Sequence, residues 1–68
     1  MTYGKVKWFD SKKGFGFIER EDGKGDVFAH FQDIVGEGYR TLREGERVKF
    51  EITKSPKGEK ATKIERAE

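Results

Sequence analysis

The chain has no cysteine, one proline, one histidine and one tryptophan among 68 residues, and each scarcity removes a class of answer. Without cysteine there is no disulfide framework and no thiolate metal site, which fits a reducing compartment. A lone His30, with no second histidine or cysteine to join it, makes a poor metal site. Long apolar runs are missing too, and the N-terminal "MTYGKVKWFD" is too polar for a signal peptide. These absences point to a soluble, cytoplasmic protein with no membrane segment. A chain of this length allows one domain, residues 1–68, with a modest core.

Charge is abundant, since charged residues make up 41% of the chain, yet 15 basic and 13 acidic groups leave a formal net charge of only +2. Bulk charge therefore argues weakly for a polyanionic partner. Its distribution is more telling: Lys5, Lys7, Lys12 and Lys13 face Asp10 alone near the start, and Lys54, Lys57, Lys60, Lys63 and Arg66 face only Glu59 and Glu65 near the end. Taken alone, such runs are ordinary solvated faces. The spacing from Lys54 to Arg66 suits a basic helical stripe, but Pro56 and Gly58 break a helix there.

The remaining pattern is one of strands and turns, with no helix. Residues 4–9 are rich in β-formers and end in the turn "DSKKG"; residues 15–20 form a second strand closed by "EDGKG". "DVFAHF" is a third strand, "RVKFEIT" a fourth with Val48, Phe50 and Ile52 on one side, and residues 60–65 a fifth after the turn "SPKG". Between the third and fourth lies "QDIVGEGYRTLREGE", long for a compact domain, with Ile34 and Leu42 as its anchors to the core. Short strands of this kind must hide their edges, and closure into a barrel does so.

Counting side chains then assigns the faces. Val6, Ile18, Val27, Ala29, Ile34, Leu42, Val48, Phe50, Ile52 and Ile64 fill a small barrel, so most of Trp8, Phe9, Phe15, Phe17, Phe28 and Phe31 are surplus to it. In the third strand Asp26, Phe28 and His30 share one face, and Val27 and Ala29 the other. Burying Phe28 would bury an acid and a histidine with it, at several kcal/mol unless both were paired. Phe15, Phe17 and Phe28 therefore face outward as one aromatic platform, and Gly16 faces inward where the barrel bends or another backbone approaches. Flat rings beside lysines suit single-stranded nucleic acid, whose open bases stack and whose phosphates meet the cations. A protein-binding patch is the rival reading, and a hydrolase working through His30 and Asp26 a third. Ser11 and Ser55 lie in turns with no base beside them, "GFG" lacks the third glycine of a dinucleotide fingerprint, and "KGFGFIER" ends in Arg20 where the RNA-recognition motif has an aromatic.

The run "GKVKWFDSKKGFGFI", followed by "DVFAHF" and "GEGYRTLREGERVKFEI", resembles the bacterial cold-shock protein family over almost the whole chain. "KGFGFI" matches that family's first ribonucleoprotein motif and "VFAHF" its second. The resemblance implies an all-β, five-stranded antiparallel Greek-key barrel of the OB-fold that binds single-stranded RNA or DNA as an RNA chaperone or transcription antiterminator. With the serine, histidine and glycine motifs failing, no enzyme activity and no cofactor are expected, and the chain is expected to be a monomer. The resemblance further implies that Trp8, Phe15, Phe17, Phe28, His30, Phe31 and Tyr39 stack on bases, that Lys7 and Lys13 meet the backbone or base edges, and that Asp26 accepts a hydrogen bond from a base. Simple alternation puts Trp8 on the side of Val6, so its exposure requires a bulge near Lys7. Where the family commonly has arginine followed by Gly-Pro-Gln, this chain has Lys57, Gly58, Glu59 and Lys60. Lys57 and Lys60 belong to the expected site, and the exchange of an amide for a donor-only lysine opens base preference at that end.

Overall fold

The computed structural model describes residues 1–35, 41–56 and 58–67. Its strands are β1 (Thr2–Asp10), β2 (Phe15–Arg20), β3 (Asp26–His30), β4 (Arg47–Ser55) and β5 (Gly58–Arg66). They close into a barrel in the order β1-β2-β3-β5-β4. Four of the five neighbouring pairs are antiparallel, as the resemblance implies. The fifth differs: β3 meets β5 in parallel, through the single register pair Phe28↔Lys60, with Ile34↔Ile64 extending the contact just beyond β3. Remote strands brought together by closure need not run opposite ways, because no tight turn joins them.

The third strand is shorter than its sequence suggests. Phe31 leaves it to open a 3-10 turn, Phe31–Asp33, whose cap is His30. The imidazole competes for a backbone N–H that a continuing strand would have spent on the sheet.

Two bulges reset the alternation. Between Val6↔Ile18 and Trp8↔Phe17, Lys7 is the extra residue on β1. It supplies the displacement that Trp8 requires: Val6 is buried, Trp8 is exposed, and Phe9 turns back to pack against the core. The second bulge lies between Lys49↔Glu65 and Glu51↔Thr62, so Lys63 and Ile64 together oppose Phe50. Here Lys63 takes a left-handed φ of 50°, while Ile64 is fully buried. An L-residue held there costs about 1–2 kcal/mol. Lysine already bears that cost, but a β-branched side chain fits the region worse, so Lys63→Ile should destabilise the fold further, by roughly 1 kcal/mol in chemical denaturation, although β-branched residues suit exposed strand positions. Lys63→Gly should be neutral or stabilising. The opposite order would remove the bulge as the controlling feature.

The core consists of Val6, Ile18, Val27, Ala29, Leu42, Val48, Phe50, Ala61 and Ile64, with Phe9, Ile34 and Ile52 packed at its margin. Ile34 and Ile52 are thus rim residues where the sequence suggests interior ones, and Ala61 joins the interior. Burial of Leu42 ties down the end of the long connection, as expected.

Candidate nucleic-acid interface

The alternation in β2 explains why glycine stands between two phenylalanines. Gly16 and Ile18 are buried, while Phe15 and Phe17 are half-buried on the outer face. Gly16 pairs with Phe9 of β1, and a Cβ there would collide with the Trp8 carbonyl oxygen and lie 2.7 Å from the Phe9 Cα. The missing side chain lets β1 cross β2 closely, and that crossing brings Trp8 beside the phenylalanines.

β1, β2 and β3 then deliver their outward rings to one surface. Trp8 lies 5.8 Å from Phe15 and 5.5 Å from Phe17, centroid to centroid; Phe28 lies 5.9 Å from Phe15 and 5.8 Å from Phe17. The array continues through His30, 6.3 Å from Phe28, to Phe31, 4.7 Å from His30. These separations are those of mutually packed aromatics. Trp8 and Phe31, at the two ends of the array, are each 38% exposed. The rings thus support one another by edge, tilted and stacked contacts, and the array is most exposed at its ends.

Two local devices fix the far end. His30 Nδ1 accepts the Gln32 backbone N–H at 3.2 Å, which leaves Nε2 to carry the proton in the neutral ring. Beneath Phe31 lies Gly14, at φ 79°, whose carbonyl accepts the Phe31 N–H at 2.8 Å and whose absent Cβ would sit 2.6 Å from the ring. Gly14 thus belongs to the site as the seat of Phe31. The sequence shows it as the last residue of the turn "DSKKG" and the second of "KGFGFI", and neither announces its contact with Phe31.

Polar groups border the rings. Lys7 Nζ donates to Asp26 Oδ2 at 3.0 Å, and the carboxylate's hydrogen bond and charge raise the Lys7 pKa above its ordinary value. Asp26, expected to accept from a base, is therefore already engaged by Lys7. Lys13 is exposed in the turn that Asp10 organises, with its backbone N–H donating to Asp10 Oδ1 at 3.1 Å. Lys60, opposite Phe28 across the parallel pair, reaches within 3.8 Å of Asp33 Oδ2. Beside it a groove of about 550 Å³ is lined by Phe17, Asp26, Phe28, Ser55, Gly58, Glu59 and Lys60. Tyr39 and Lys57 lie outside the described residues.

Among the described residues no helix is long and apolar enough to cross a membrane. No cluster of three or more histidine, cysteine, aspartate or glutamate side chains suited to a metal ion occurs among them either.

A family profile described as the 'Cold-shock' DNA-binding domain matches residues 2–67. "Probable cold shock protein A" of Mycolicibacterium smegmatis is 55% identical over 64 residues, covering 94% of this chain and 96% of the relative. "Cold shock-like protein CspE" of Escherichia coli is 56% identical over 61 residues, covering 90% and 88% respectively. "Cold shock-like protein" of Thermotoga maritima is likewise 56% identical over 61 residues, covering 90% and 91%. With the barrel, the profile and these relatives in agreement, the chain belongs to the cold-shock domain family, a family of nucleic-acid-binding domains.

Proposed function

We propose that this protein captures single-stranded RNA or DNA by stacking bases on Trp8, Phe15, Phe17, Phe28, His30 and Phe31, and that it acts as an RNA chaperone or transcription antiterminator. The whole chain works as one domain, as a monomer in the cytoplasm, without catalysis and without a cofactor. The observation that carries this reading is the contiguous run of rings from Trp8 to Phe31, across the outer face of β1–β3 and onto the turn that follows. Stacking needs no particular base, because every base has a π-face. Lys7, Lys13 and Lys60 supply positive charge at the border of the rings.

Quenching of Trp8 fluorescence by a pyrimidine-rich oligonucleotide tests the reading directly. Phe15→Ala should weaken binding by about 1–3 kcal/mol while the barrel still melts cooperatively. Unfolding by that substitution would mean that the ring is part of the core.

Charge should contribute little to the affinity. Lys7 and Lys60 each lie beside a carboxylate, so they enter the complex already partly neutralised. For roughly three phosphate contacts on a single strand, log K against log salt should have a slope near −2. A slope several times steeper would show that electrostatics dominates stacking.

A further inference from the structure

The groove between Phe28 and the β4–β5 turn is built differently from the rest of the aromatic face. Its apolar lining is formed by Phe17 and Phe28, so it continues the platform, and Ser55, Glu59 and Lys60 line it from the β4–β5 hairpin. At about 550 Å³ it lies within the size range of small-ligand sites. Two carboxylates line it, and their surroundings differ. Asp26 is paired with Lys7, whose side chain is 55% exposed, so the two present acceptor and donor together. Glu59 is paired from behind: Arg20 Nη1 lies 3.5 Å from Glu59 Oε1, and the Arg20 side chain is only 9% exposed. The same guanidinium donates to Asp22 Oδ2 at 2.6 Å, which holds it between the two hairpin turns. The counter-charge of Glu59 is thus sunk into the barrel end, while Glu59 itself remains 43% exposed. To an occupant of the groove it offers acceptors alone. Lys60, next along β5, leaves the strand on the other face, opposite Phe28 and within 3.8 Å of Asp33 Oδ2.

We propose that this groove is a guanine-selective subsite, in which the Glu59 carboxylate accepts from guanine N1–H and N2–H. The proposal rests on the single-strand reading above. Among the four bases only guanine places two N–H donors side by side on its Watson–Crick edge, with an acceptor next to them. Cytosine and adenine set one amino group beside a ring acceptor, which a carboxylate repels. Uracil has one N–H flanked by two carbonyls. Arg20 acts as a positioning residue, because it fixes the carboxylate and screens its charge from the phosphates without contacting the base.

The test uses the full chain and short uridine oligonucleotides, either unsubstituted or carrying one guanosine at each position in turn. At the best position guanosine should tighten binding about tenfold, within what a bidentate base contact contributes to discrimination. Inosine, which lacks the N2 amino group, should lose most of that gain, and adenosine or cytidine should give none. Glu59→Ala and Glu59→Gln should bind the unsubstituted strand as well as wild type and lose the preference for guanosine. Using both variants guards against a folding defect in either, and each is checked by thermal melting. Binding of the uridine strand with no guanosine preference overturns the proposal and leaves the single-strand reading standing. Retention of the preference in Glu59→Ala overturns it as well. Failure to bind any strand overturns both.

Discussion

Phe50→Ala is expected to leave the chain largely unfolded at room temperature. Phe50 is fully buried and is the largest side chain of the core, set on β4 among residues that β1, β2, β3 and β5 also contribute. Truncating a buried phenylalanine costs about 3–5 kcal/mol through lost transfer energy and the cavity left behind. A single core in a chain of this size supplies only about 3–5 kcal/mol of net stability. The two quantities match, so the substitution removes nearly all of it. Near-ultraviolet circular dichroism and the thermal transition report the outcome. A cooperative melt within a few degrees of wild type would mean that the core collapses around the vacancy far better than its packing implies.

The same truncation on the outer face should do the opposite. With Phe15, Phe17 and Phe28 all changed to alanine, the barrel should still fold, while capture of single strands falls by several kcal/mol. The proposed chaperone action follows from mass action alone: a protein that binds only the open form of an RNA hairpin draws the equilibrium toward it, with no ATP. In a duplex the base faces are already covered by neighbouring bases, so the rings have nothing to stack on. A hairpin labelled with fluorophore and quencher should brighten with wild type and far less with the triple variant. Equal brightening by both, or tighter binding to the matched duplex than to either strand, would remove the aromatic face from the mechanism.

Parity alone separates the outward phenylalanines from the buried one. In β3, Asp26 and His30 accompany Phe28, and the cost of burying them forces the ring outward; the pairing Phe17↔Phe28 then carries the assignment into β2. Strands with local antiparallel partners are legible in this way because alternation survives in the sequence. What is not legible has a physical reason in each case. The displacement of Trp8 depends on Lys7 occupying an unpaired position, and nothing in the chemistry of a lysine announces that. Only the family resemblance implies it, and the register shift between Val6 and Trp8 accounts for it. Phe31 satisfies every requirement of a strand residue, and only the cap made by His30 on Gln32 diverts it. Ala61 is too small to be noticed in a count of large apolar groups, yet it is fully buried opposite Ile52 on β4. The parallel meeting of β3 and β5 is set by closure between distant segments, which leaves no periodic trace. The role of Arg20 is equally hidden, since its nearest carboxylates sit two residues away at Asp22 and far along the chain at Glu59.

The unpaired position at Lys7 also divides β1 into two stretches with separate duties. Residues Thr2 to Lys5 are held on both sides, by β4 along their whole length and by β2 from Gly4 onward, whereas Trp8 to Asp10 are paired with β2 alone. In-frame loss of the Lys7 codon would remove the cation and its bond to Asp26, yet Val6 would still point in, Trp8 out and Phe9 in. Loss of Lys5 is a different event, because it would put Thr2, Tyr3 and Gly4 out of step with β4 and Gly4 out of step with β2 as well. Sensitivity to a change in length is therefore unevenly spread along one nine-residue strand. The joint between wall and platform is the place where the gene can lose a codon while the rings keep their orientation.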